Sequence, residues 1–433
     1  MIERLAAALE RVRPRPRVAG VLLDNGPEWV AVDLAAQRAG VVLVPLPAFF
    51  TTEQCTHAAH ASGMDSLFGR LPGFDPAGDL EGLPWSRRDA APVALLPGTA
   101  KITFTSGTTG TPKGVQLSAK QQWSVARSLA EVTRPLGIRR HLSLLPLPVL
   151  LENVAGVYAA HLAGAELCLA PLAECGVRGA TGFGAVACLA AIERWEPHSI
   201  ILLPQMLASL VALLESGARK PASLRLVAVG GARVSPALIA RARAAGLPVY
   251  EGYGLSECAS VVSLNLPGAD RPGSAGRPLP HAQVKIAGRE IHVNAGGEWL
   301  ATGDLGRLDE DGFLHIEGRR KHVLITSYGR NVSPEWPEAE LLAGDAIAQA
   351  AVFGEARPRL CALVVPAGPT VHDKAIDAQV HAANCRLPDY ARIGRWLRAD
   401  APFTPQNGLA TPNGRLRREA VWKAYGARLD ALL

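Results

Sequence analysis

The segment at residues 103–114 has the composition best suited to chemistry. It consists of TFTSGTTGTPKG, an apolar strand start followed by hydroxyl residues, glycines and Lys113. Glycines let backbone N–H groups curl around an anion, hydroxyls add donors, and a lysine supplies positive charge. The segment therefore predicts a phosphate-binding loop. It is not a Walker loop, because Pro112 stands where that motif has glycine and no Ser or Thr follows Lys113. The candidate phosphate-binding residues are Thr105, Ser106, Gly107, Thr108, Thr109, Gly110 and Lys113.

Five more motifs follow this loop in a fixed order. They are Gly230-Gly231-Ala232, the GYGLSE run at 252–257, Thr302-Gly303-Asp304, the GRRK run at 318–321 and SYGRNVSPEWPE at 327–338. Together with the loop, the set resembles the adenylate-forming enzymes: acyl-CoA synthetases, aryl-CoA ligases, peptide-synthetase adenylation domains and luciferases. The segment NGPEWVAVDLAAQRAGVVLVPL near the N-terminus is similar to the early region of that family.

The resemblance implies a nucleotide site. Beyond the loop, its binding residues would be Gly231, Ala232, Gly252, Tyr253, Gly254, Ser256, Asp304 and Arg319. The glycine–alanine pair and Tyr253 would flank the adenine, and Asp304 would accept hydrogen bonds from two ribose hydroxyls. Arg319 would add a second ribose or phosphate contact. ATP is the cofactor that this arrangement implies.

Activation of a carboxylic acid by ATP also needs a magnesium carboxylate and a cation for developing negative charge. The resemblance places Glu257 on Mg²⁺, with Thr105 as a second metal ligand, and Lys113 at the phosphates. The lysine that family members carry near the C-terminus is replaced here by Arg415, in the run TPNGRLRR. Arginine keeps the charge but has a planar, forked head, so this replacement is not neutral at a point contact. The alternative is that the function of the usual lysine has moved to Lys423.

A second departure concerns the acyl pocket. In the run LLPLPVLLEN at 144–153, Val149 stands where fatty-acid-activating members usually have histidine, and Glu152 is kept. The surrounding residues are apolar, which favours a medium or long fatty acyl chain over an amino acid. An aryl acid stays an alternative. The nearest resemblance is to fatty acyl-CoA and acyl-carrier-protein synthetases.

The second half of the reaction would transfer the acyl group to a thiol. The resemblance implies a hinge at Lys321 and a loop with Gly329 and Asn331 that lines the thiol tunnel. Coenzyme A and the phosphopantetheine arm of a carrier protein present the same thiol, so both acceptors stay open. The basic residues near the C-terminus suit either phosphates or an acidic carrier helix.

Three other functions compete with this reading. One is an adenylate-family protein that binds without catalysis, which Arg415 and Val149 keep open. Another is an adenylate-forming enzyme that closes a lactone with an internal hydroxyl. A generic dinucleotide oxidoreductase is disfavoured, because no Gly-x-Gly-x-x-Gly follows the first predicted strand.

The elements that must position these residues form an α/β fold. Up to about residue 265, apolar strand-like runs such as 18–23 and 41–45 alternate with helical patterns, which predicts a parallel sheet in αβα layers. Residues 266–320 predict a small antiparallel or barrel subdomain. We therefore expect an adenylation domain at 1–320, shortened at its N-terminal side, and a small mobile α+β domain at 321–433.

Composition limits the remaining classes. The chain has 433 residues, 48% of them apolar, and its net charge of +6 is too diffuse to indicate nucleic acid. Seven scattered cysteines indicate a reducing compartment rather than disulfides or zinc. The charged residues at 1–17 do not favour a signal peptide, and no apolar stretch reaches the length that a membrane-spanning helix needs, although peripheral contact is compatible with the sequence. These features predict a cytoplasmic protein.

Overall fold

The structure of the protein, a computed structural model, describes residues 1–105, 112–179, 182–411 and 414–432. Contacts between residues divide the chain into two units. The first unit comprises Met1–Ile201 with Gly254–Val261, and the second comprises Leu202–Tyr253 with Val262–Leu433. Within the described residues no helix has both the length and the apolar character needed to cross a membrane.

The first unit is built on a seven-stranded sheet in the order β4-β5-β3-β1-β2-β6-β7. Its strands are β1 (Val18–Val21), β2 (Val42–Pro45), β3 (Ser66–Phe68), β4 (Asp75–Leu80), β5 (Leu83–Arg87), β6 (Thr99–Thr105) and β7 (Lys113–Ser118). The central strands β3, β1, β2 and β6 run parallel, whereas β4, β5 and β7 pair antiparallel with their neighbours. Every residue of β1 is buried, as expected of a strand covered on both faces.

Helices and a second group of strands complete this unit. The helices are α1 (Ile2–Arg11), α2 (Pro27–Arg38), α3 (Thr52–Ser62), α4 (Ala119–Thr133), α5 (Leu150–Glu152), α6 (Ala159–Leu162) and α7 (Ala185–Trp195). The strands are β8 (Arg140–Leu142), β9 (Glu166–Cys168), β10 (Val177–Arg178), β11 (Gly182–Phe183) and β12 (Ser199–Leu202). Strand β8 runs parallel to both β9 and β12. A π-helix at Asn153–Tyr158 joins α5 to α6.

The second unit begins with parallel strands and helices and continues as antiparallel sheet. Its first elements are α8 (Pro204–Glu215), β13 (Leu226–Val229), α9 (Pro236–Ala244) and β16 (Arg277–Pro278), together with the parts of β14 (Val249–Leu255) and β15 (Ser260–Leu264) that lie outside the segment Gly254–Val261 of the first unit. An antiparallel sheet follows, with β17 (Gln283–Ala287), β18 (Glu290–Asn294), β19 (Leu300–Leu308) and β20 (Leu314–Arg319) in that order. Because β17 and β20 are the two edges of this sheet, it does not close within the described residues. The barrel alternative for this region is wrong.

The remainder of the second unit is the region 321–433. It contains β21 (Leu324–Ile325), β22 (Asn331–Val332), α10 (Glu335–Leu341), β23 (Ile347–Phe353), β24 (Leu360–Pro366), α11 (Asp373–Arg386), β25 (Ile393–Arg398) and α12 (Arg418–Asp430). Strand β24 lies between β23, which is antiparallel to it, and β25, which is parallel. Buried apolar residues form one core between Leu324 and Ile393 and another between Ala351 and Leu429. The predicted α/β class, with parallel sheet followed by antiparallel and α+β parts, is therefore confirmed.

Candidate active site

The predicted phosphate loop joins two antiparallel strands of the first unit. Thr105, the last residue of β6, pairs with Lys113, the first residue of β7, so the chain returns to the same point after the loop. Ser106, Gly107, Thr108, Thr109 and Gly110 lie outside the described residues. At the end of the loop the carbonyl of Pro112 lies 3.0 Å from Nε2 of His57, and the side chain of Lys113 is exposed.

Glu257 lies in the first unit on a short 3-10 helix, Ser256–Cys258, which contacts β7. Strand β14, which leads into this helix, requires glycine at position 254, because a Cβ there would lie 2.1 Å from the carbonyl oxygen of Ser260. The carboxylate of Glu257 is exposed, and Ser256 is half-buried. The 3-10 helix therefore brings a carboxylate to the strand that continues the phosphate loop.

The donor set at Glu257 fits magnesium carried by a nucleotide better than a resident metal. Among the described residues no group of three His, Cys, Asp or Glu side chains could hold a metal ion. Mg²⁺ commonly binds through one or two carboxylates, with phosphate oxygens and water completing its octahedral shell. A single carboxylate beside a predicted phosphate loop satisfies this requirement. Glu257 would hold the ion, and the ion would neutralise phosphate charge.

Asp304 is the centre of a polar cluster in the second unit. Tyr253 donates from Oη to Oδ2 of Asp304 over 2.6 Å, and Nε of Arg319 lies 2.8 Å from Oδ1. Asp304 and Arg319 face each other across the β19–β20 pair, so the sheet register itself creates this contact. The side chain of Asp304 is 7% exposed, whereas that of Arg319 is 47% exposed. The cluster thus contains one buried carboxylate, and each of its oxygens contacts a donor, Tyr253 or Arg319.

Burial outweighs the neighbouring charges in the electrostatics of the cluster. Burial raises the pKa of Asp304, and the charge of Arg319, the hydrogen bond from Tyr253 and the charge of Arg415 act in the opposite direction. Burial also raises the pKa of Tyr253, and the Asp304 charge adds to that effect, so its hydroxyl stays a donor. The arrangement can accept hydrogen bonds from ribose hydroxyls at Asp304 while Arg319 supplies a cation beside it.

Backbone geometry fixes the direction of Asp304. The amide of Asp304 donates to Oγ1 of Thr302 over 3.1 Å, and this hydroxyl donates to the carbonyl of Ile291 over 2.7 Å. Gly303 between them has φ +74°, and its amide donates to Oε1 of Glu290 over 2.9 Å. The sequence motif identified Thr302 and Gly303, but Glu290 carries no recognisable signal and was missed.

The two glycine-containing motifs of the second unit lie close together. A Cβ on Gly230 would lie 3.0 Å from the carbonyl oxygen of Gly252, and Gly231 has φ +83°. Both Gly231 and Ala232 are exposed. The structure thus brings the segment predicted to flank adenine next to the strand residue that precedes Tyr253.

Arg415 is hydrogen-bonded to Thr411. The amide of Arg415 donates to Oγ1 of Thr411 over 2.9 Å, and the amide of Thr411 donates to the carbonyl of Arg415 over 2.7 Å. Gly414, the residue before Arg415, has φ +78°. The guanidinium of Arg415 is exposed, and its charge opposes the rise in the pKa of Asp304 that burial causes.

The predicted acyl-pocket residues lie in the first unit. Val149 is half-buried, just before α5. Glu152 is fully buried, with Oε1 2.8 Å from Nε2 of His141 and Oε2 accepting from the amide of Leu145 over 2.9 Å. Nδ1 of His141 in turn lies 2.9 Å from Oγ of Ser199. Both oxygens of Glu152 are thus engaged in fixing the segment that carries Val149.

The predicted hinge and thiol-tunnel residues lie on exposed parts of the second unit. Lys321 is in the 3-10 helix Arg320–His322, Gly329 has φ +68° in the turn between β21 and β22, and Asn331 opens β22. All three are exposed. Next to Lys321, Nδ1 of His322 contacts Oε1 of Glu335 at 2.5 Å.

One buried network had no counterpart in the sequence prediction. Nζ of Lys101 is fully buried and contacts Oδ1 of Asp33 at 2.9 Å, Oδ1 of Asn153 and Oη of Tyr158. Tyr158 donates to Asp33 over 2.8 Å and stacks on Trp123 with ring centroids 4.4 Å apart. Two of its members belong to the π-helix Asn153–Tyr158, so the network braces that helix against α2 and β6.

Comparison with known proteins assigns the family. The model for AMP-binding enzyme matches residues 1–305, and that for AMP-binding enzyme C-terminal domain matches residues 321–433. The chain is 26% identical to a long-chain-fatty-acid–CoA ligase of Mycobacterium bovis, over 94% of this chain and 86% of the relative. It is 30% identical to a 2-succinylbenzoate–CoA ligase of Bacillus subtilis, over 82% and 77% respectively.

A solved structure shares the fold. The O-succinylbenzoate coenzyme A synthetase of Bacillus subtilis, in complex with ATP and magnesium ion, superposes with a TM-score of 0.74 at 26% identity, covering 96% of this chain and 92% of that chain. The chain therefore belongs to the AMP-binding enzyme family and is an adenylate-forming acid–thiol ligase.

Proposed function

We propose that this enzyme converts a fatty acid and ATP to an acyl adenylate and then transfers the acyl group to the thiol of coenzyme A. The observation that carries the proposal is the Asp304 cluster. A buried carboxylate with Tyr253 and Arg319 on its two oxygens suits a ribose, and the charge of Arg415 acts at the same place.

In the first step a carboxylate oxygen of the acid attacks the α-phosphorus of ATP. The bond to the β-phosphate oxygen breaks, and pyrophosphate leaves. We assign Thr105 to Gly110 and Lys113 to the phosphates, Glu257 with Thr105 to Mg²⁺ and Asp304 to the ribose. Arg415 would stabilise the negative charge that develops on the α-phosphate oxygens, the role that a placed cation performs without reorganisation.

In the second step a thiol attacks the acyl carbon and loses its proton to water, and AMP leaves with the electron pair of the broken acyl–oxygen bond. We propose that residues 321–433 rotate about Lys321 between the steps, relative to an adenylation domain at 1–320, so that Gly329 and Asn331 replace Arg415. Two observations support this division. The region has its own buried cores, and the C-terminal family model begins at residue 321.

Two observations support a fatty acid as the acid substrate: the apolar side chains near Val149 and the names of the relatives. In the segment fixed by Glu152, Leu150, Val154 and Val157 are buried as core, whereas Val149 and Leu151 are half-buried and could face an acyl chain. Such a wall favours a fatty acid. Because one relative is named a 2-succinylbenzoate–CoA ligase, an aryl acid is the second candidate for the substrate. We propose coenzyme A rather than a carrier protein as the acyl acceptor, because the relatives are named as CoA ligases.

The proposal is tested by pyrophosphate release from ATP, Mg²⁺ and a panel of fatty, aryl and amino acids, with hydroxylamine present to trap the adenylate as a hydroxamate. We expect the highest kcat/KM with fatty acids, and product thioester once coenzyme A is added. Preference for an aryl acid, or for a carrier protein as acceptor, would replace the corresponding part of the proposal. AMP formation without a thiol acceptor would favour lactone closure, and ATP binding without pyrophosphate release would favour a non-catalytic protein.

A further inference from the structure

Helix α9 makes ionic contacts with the region 321–433 that the reaction described above does not use. Arg241 on this helix donates from one terminal nitrogen to both oxygens of Asp345, over 2.9 and 3.1 Å, and from the other to the carbonyl of Ala343. The same guanidinium contacts Glu215 at the end of α8. Arg241 thus joins residues 202–253 to the segment that follows α10.

Two further side chains before α9 reach the same part of the chain. Oγ of Ser235 donates over 3.0 Å to Oε2 of Glu340, a carboxylate that is 6% exposed and that Arg386 also contacts at 2.5 Å. The guanidinium of Arg233 lies 5.8 Å from the ring centroid of Trp336. We call these three pairs, Arg233–Trp336, Ser235–Glu340 and Arg241–Asp345, the α9 clasp.

Only one of the two arginines near the end of α9 takes part in the clasp. Arg243, two residues after Arg241, bonds instead to Asp270 at 2.7 Å and to the carbonyl of Val249. Those partners lie outside the region 321–433. The helix therefore carries one arginine, Arg241, that contacts the region 321–433 and one, Arg243, that contacts residues outside it. Arg243 can serve as the matched control for Arg241.

A second contact connects the clasp to Arg415. Glu338 lies on α10 between Trp336 and Glu340, which are both residues of the clasp. Its carboxylate accepts hydrogen bonds from Arg418 over 2.8 and 3.0 Å. Arg418 also donates to the carbonyl of Val352 and is the first residue of α12, three positions after Arg415. Holding α10 therefore also holds the start of α12, which Arg415 precedes by three positions.

We infer that the α9 clasp is a positioning device for the first half-reaction. While it is closed, α10 and α12 keep Arg415 where its charge acts on Asp304. It has to open before residues 321–433 can rotate for thiol transfer. Arg233, Ser235 and Arg241 are thus positioning residues that set the balance between the two half-reactions. This inference rests on the proposed function.

The inference is tested by measuring the two half-reactions separately in Arg241→Ala and Asp345→Asn. Pyrophosphate release with hydroxylamine reports adenylation, and thioester formation from added acyl adenylate reports transfer. Because each contact of a partly exposed ionic cluster is weak, we expect the ratio of transfer rate to adenylation rate to rise only about 3- to 10-fold. Arg243→Ala should leave the ratio unchanged. An unchanged ratio in both clasp variants would overturn the inference.

Asp345→Asn keeps the test decisive if Arg241→Ala folds poorly, because the Asp345 side chain is 57% exposed. A readout that does not depend on activity separates the clasp from the proposed function. Opening should speed tryptic cleavage at the exposed Arg320 and Lys321 in the clasp variants relative to Arg243→Ala. Faster cleavage in an enzyme that releases no pyrophosphate would support the clasp and reject the function, whereas equal cleavage would reject the clasp.

A covalent lock gives the reciprocal test. Arg241→Cys with Asp345→Cys can be joined by a reversible bis-thiosulfonate reagent, in a Cys385→Ser background, because Cys385 is the exposed one of the seven free cysteines. The joined protein should still form hydroxamate but should lose at least about 10-fold in thiol transfer, with recovery on reduction. Equal rates of transfer before and after joining would contradict the inference.

Discussion

Oη of Tyr253 donates a 2.6 Å hydrogen bond to Oδ2 of Asp304, and the other oxygen of that carboxylate contacts Arg319. Fifty-one positions separate the two residues along the chain. Strand β14 delivers the tyrosine and β19 the aspartate. The hydrogen bond leaves the carboxylate with lone pairs for a ligand while it limits the directions in which Asp304 can point.

The first prediction distinguishes the binding of ATP by the Asp304 carboxylate from the orientation of that carboxylate by Tyr253. Asp304→Asn removes the charge, and we expect KM for ATP to rise about 10- to 100-fold, the effect of losing hydrogen bonds to a charged group. Tyr253→Phe keeps the ring and removes one neutral donor, so its KM should rise only about 5-fold. Steady-state pyrophosphate release at varied ATP measures both. A larger effect in Tyr253→Phe than in Asp304→Asn would contradict the assignment of Asp304 to the ribose.

The second prediction concerns the cation near the C-terminus. Arg415→Ala should lower the rate of adenylation by about 10²- to 10³-fold, because a placed charge at a developing oxyanion is lost. Thiol transfer from added acyl adenylate should change little. Arg415→Lys should recover most of the adenylation rate, since lysine restores the charge at this position.

Lys423 is the matched control for Arg415, because it is an exposed cation on α12, eight residues further along the chain. Lys423→Ala should leave both half-reactions unchanged. If Lys423→Ala abolished adenylation while Arg415→Ala did not, the catalytic cation would have to be moved to Lys423.

The third prediction concerns Glu257 and magnesium. Glu257→Gln removes one negative ligand, so the Mg²⁺ concentration for half-maximal pyrophosphate release should rise about 10-fold at fixed ATP. Glu193→Gln, an exposed carboxylate on α7, serves as the control. An unchanged magnesium dependence in Glu257→Gln would remove Glu257 from the metal site.

Local motifs allowed prediction of the family and of the α/β fold, because each motif lies within a few consecutive residues. The run Thr302-Gly303-Asp304 is an example, since its hydroxyl, its positive φ and its carboxylate all act within three positions. Its role at the nucleotide stays a prediction. The open four-stranded sheet was harder to foresee, because alternating strands predict pairing but not closure.

Contacts between distant residues could not be predicted from the chain. Lys101 lies in an apolar strand, and nothing near it indicates the partner Asp33, 68 positions away. The same holds for Ser235 and Glu340, which are 105 positions apart. Such pairs depend on how helices and strands come together, and a single sequence carries no record of that.

The last prediction concerns a buried carboxyl next to the adenine-flanking segment. Burial raises the pKa of Glu251 from its usual 4.5 to about 8, although the charge of Arg233 and a hydrogen bond from the Val234 amide oppose the shift. Because the folded pKa is the higher one, the stabilising contribution is complete below about pH 4.5 and is lost as the pH rises through 8. Glu251→Gln should therefore have the same melting temperature as the wild type at pH 5 and a higher one at pH 8.5. At pH 8.5 we expect its free energy of unfolding to exceed that of the wild type by on the order of 2–4 kcal/mol. Thermal denaturation at both pH values, with Glu193→Gln as the surface control, measures the difference. A melting-temperature difference that is the same at pH 5 and pH 8.5 would show that Glu251 does not titrate in this range.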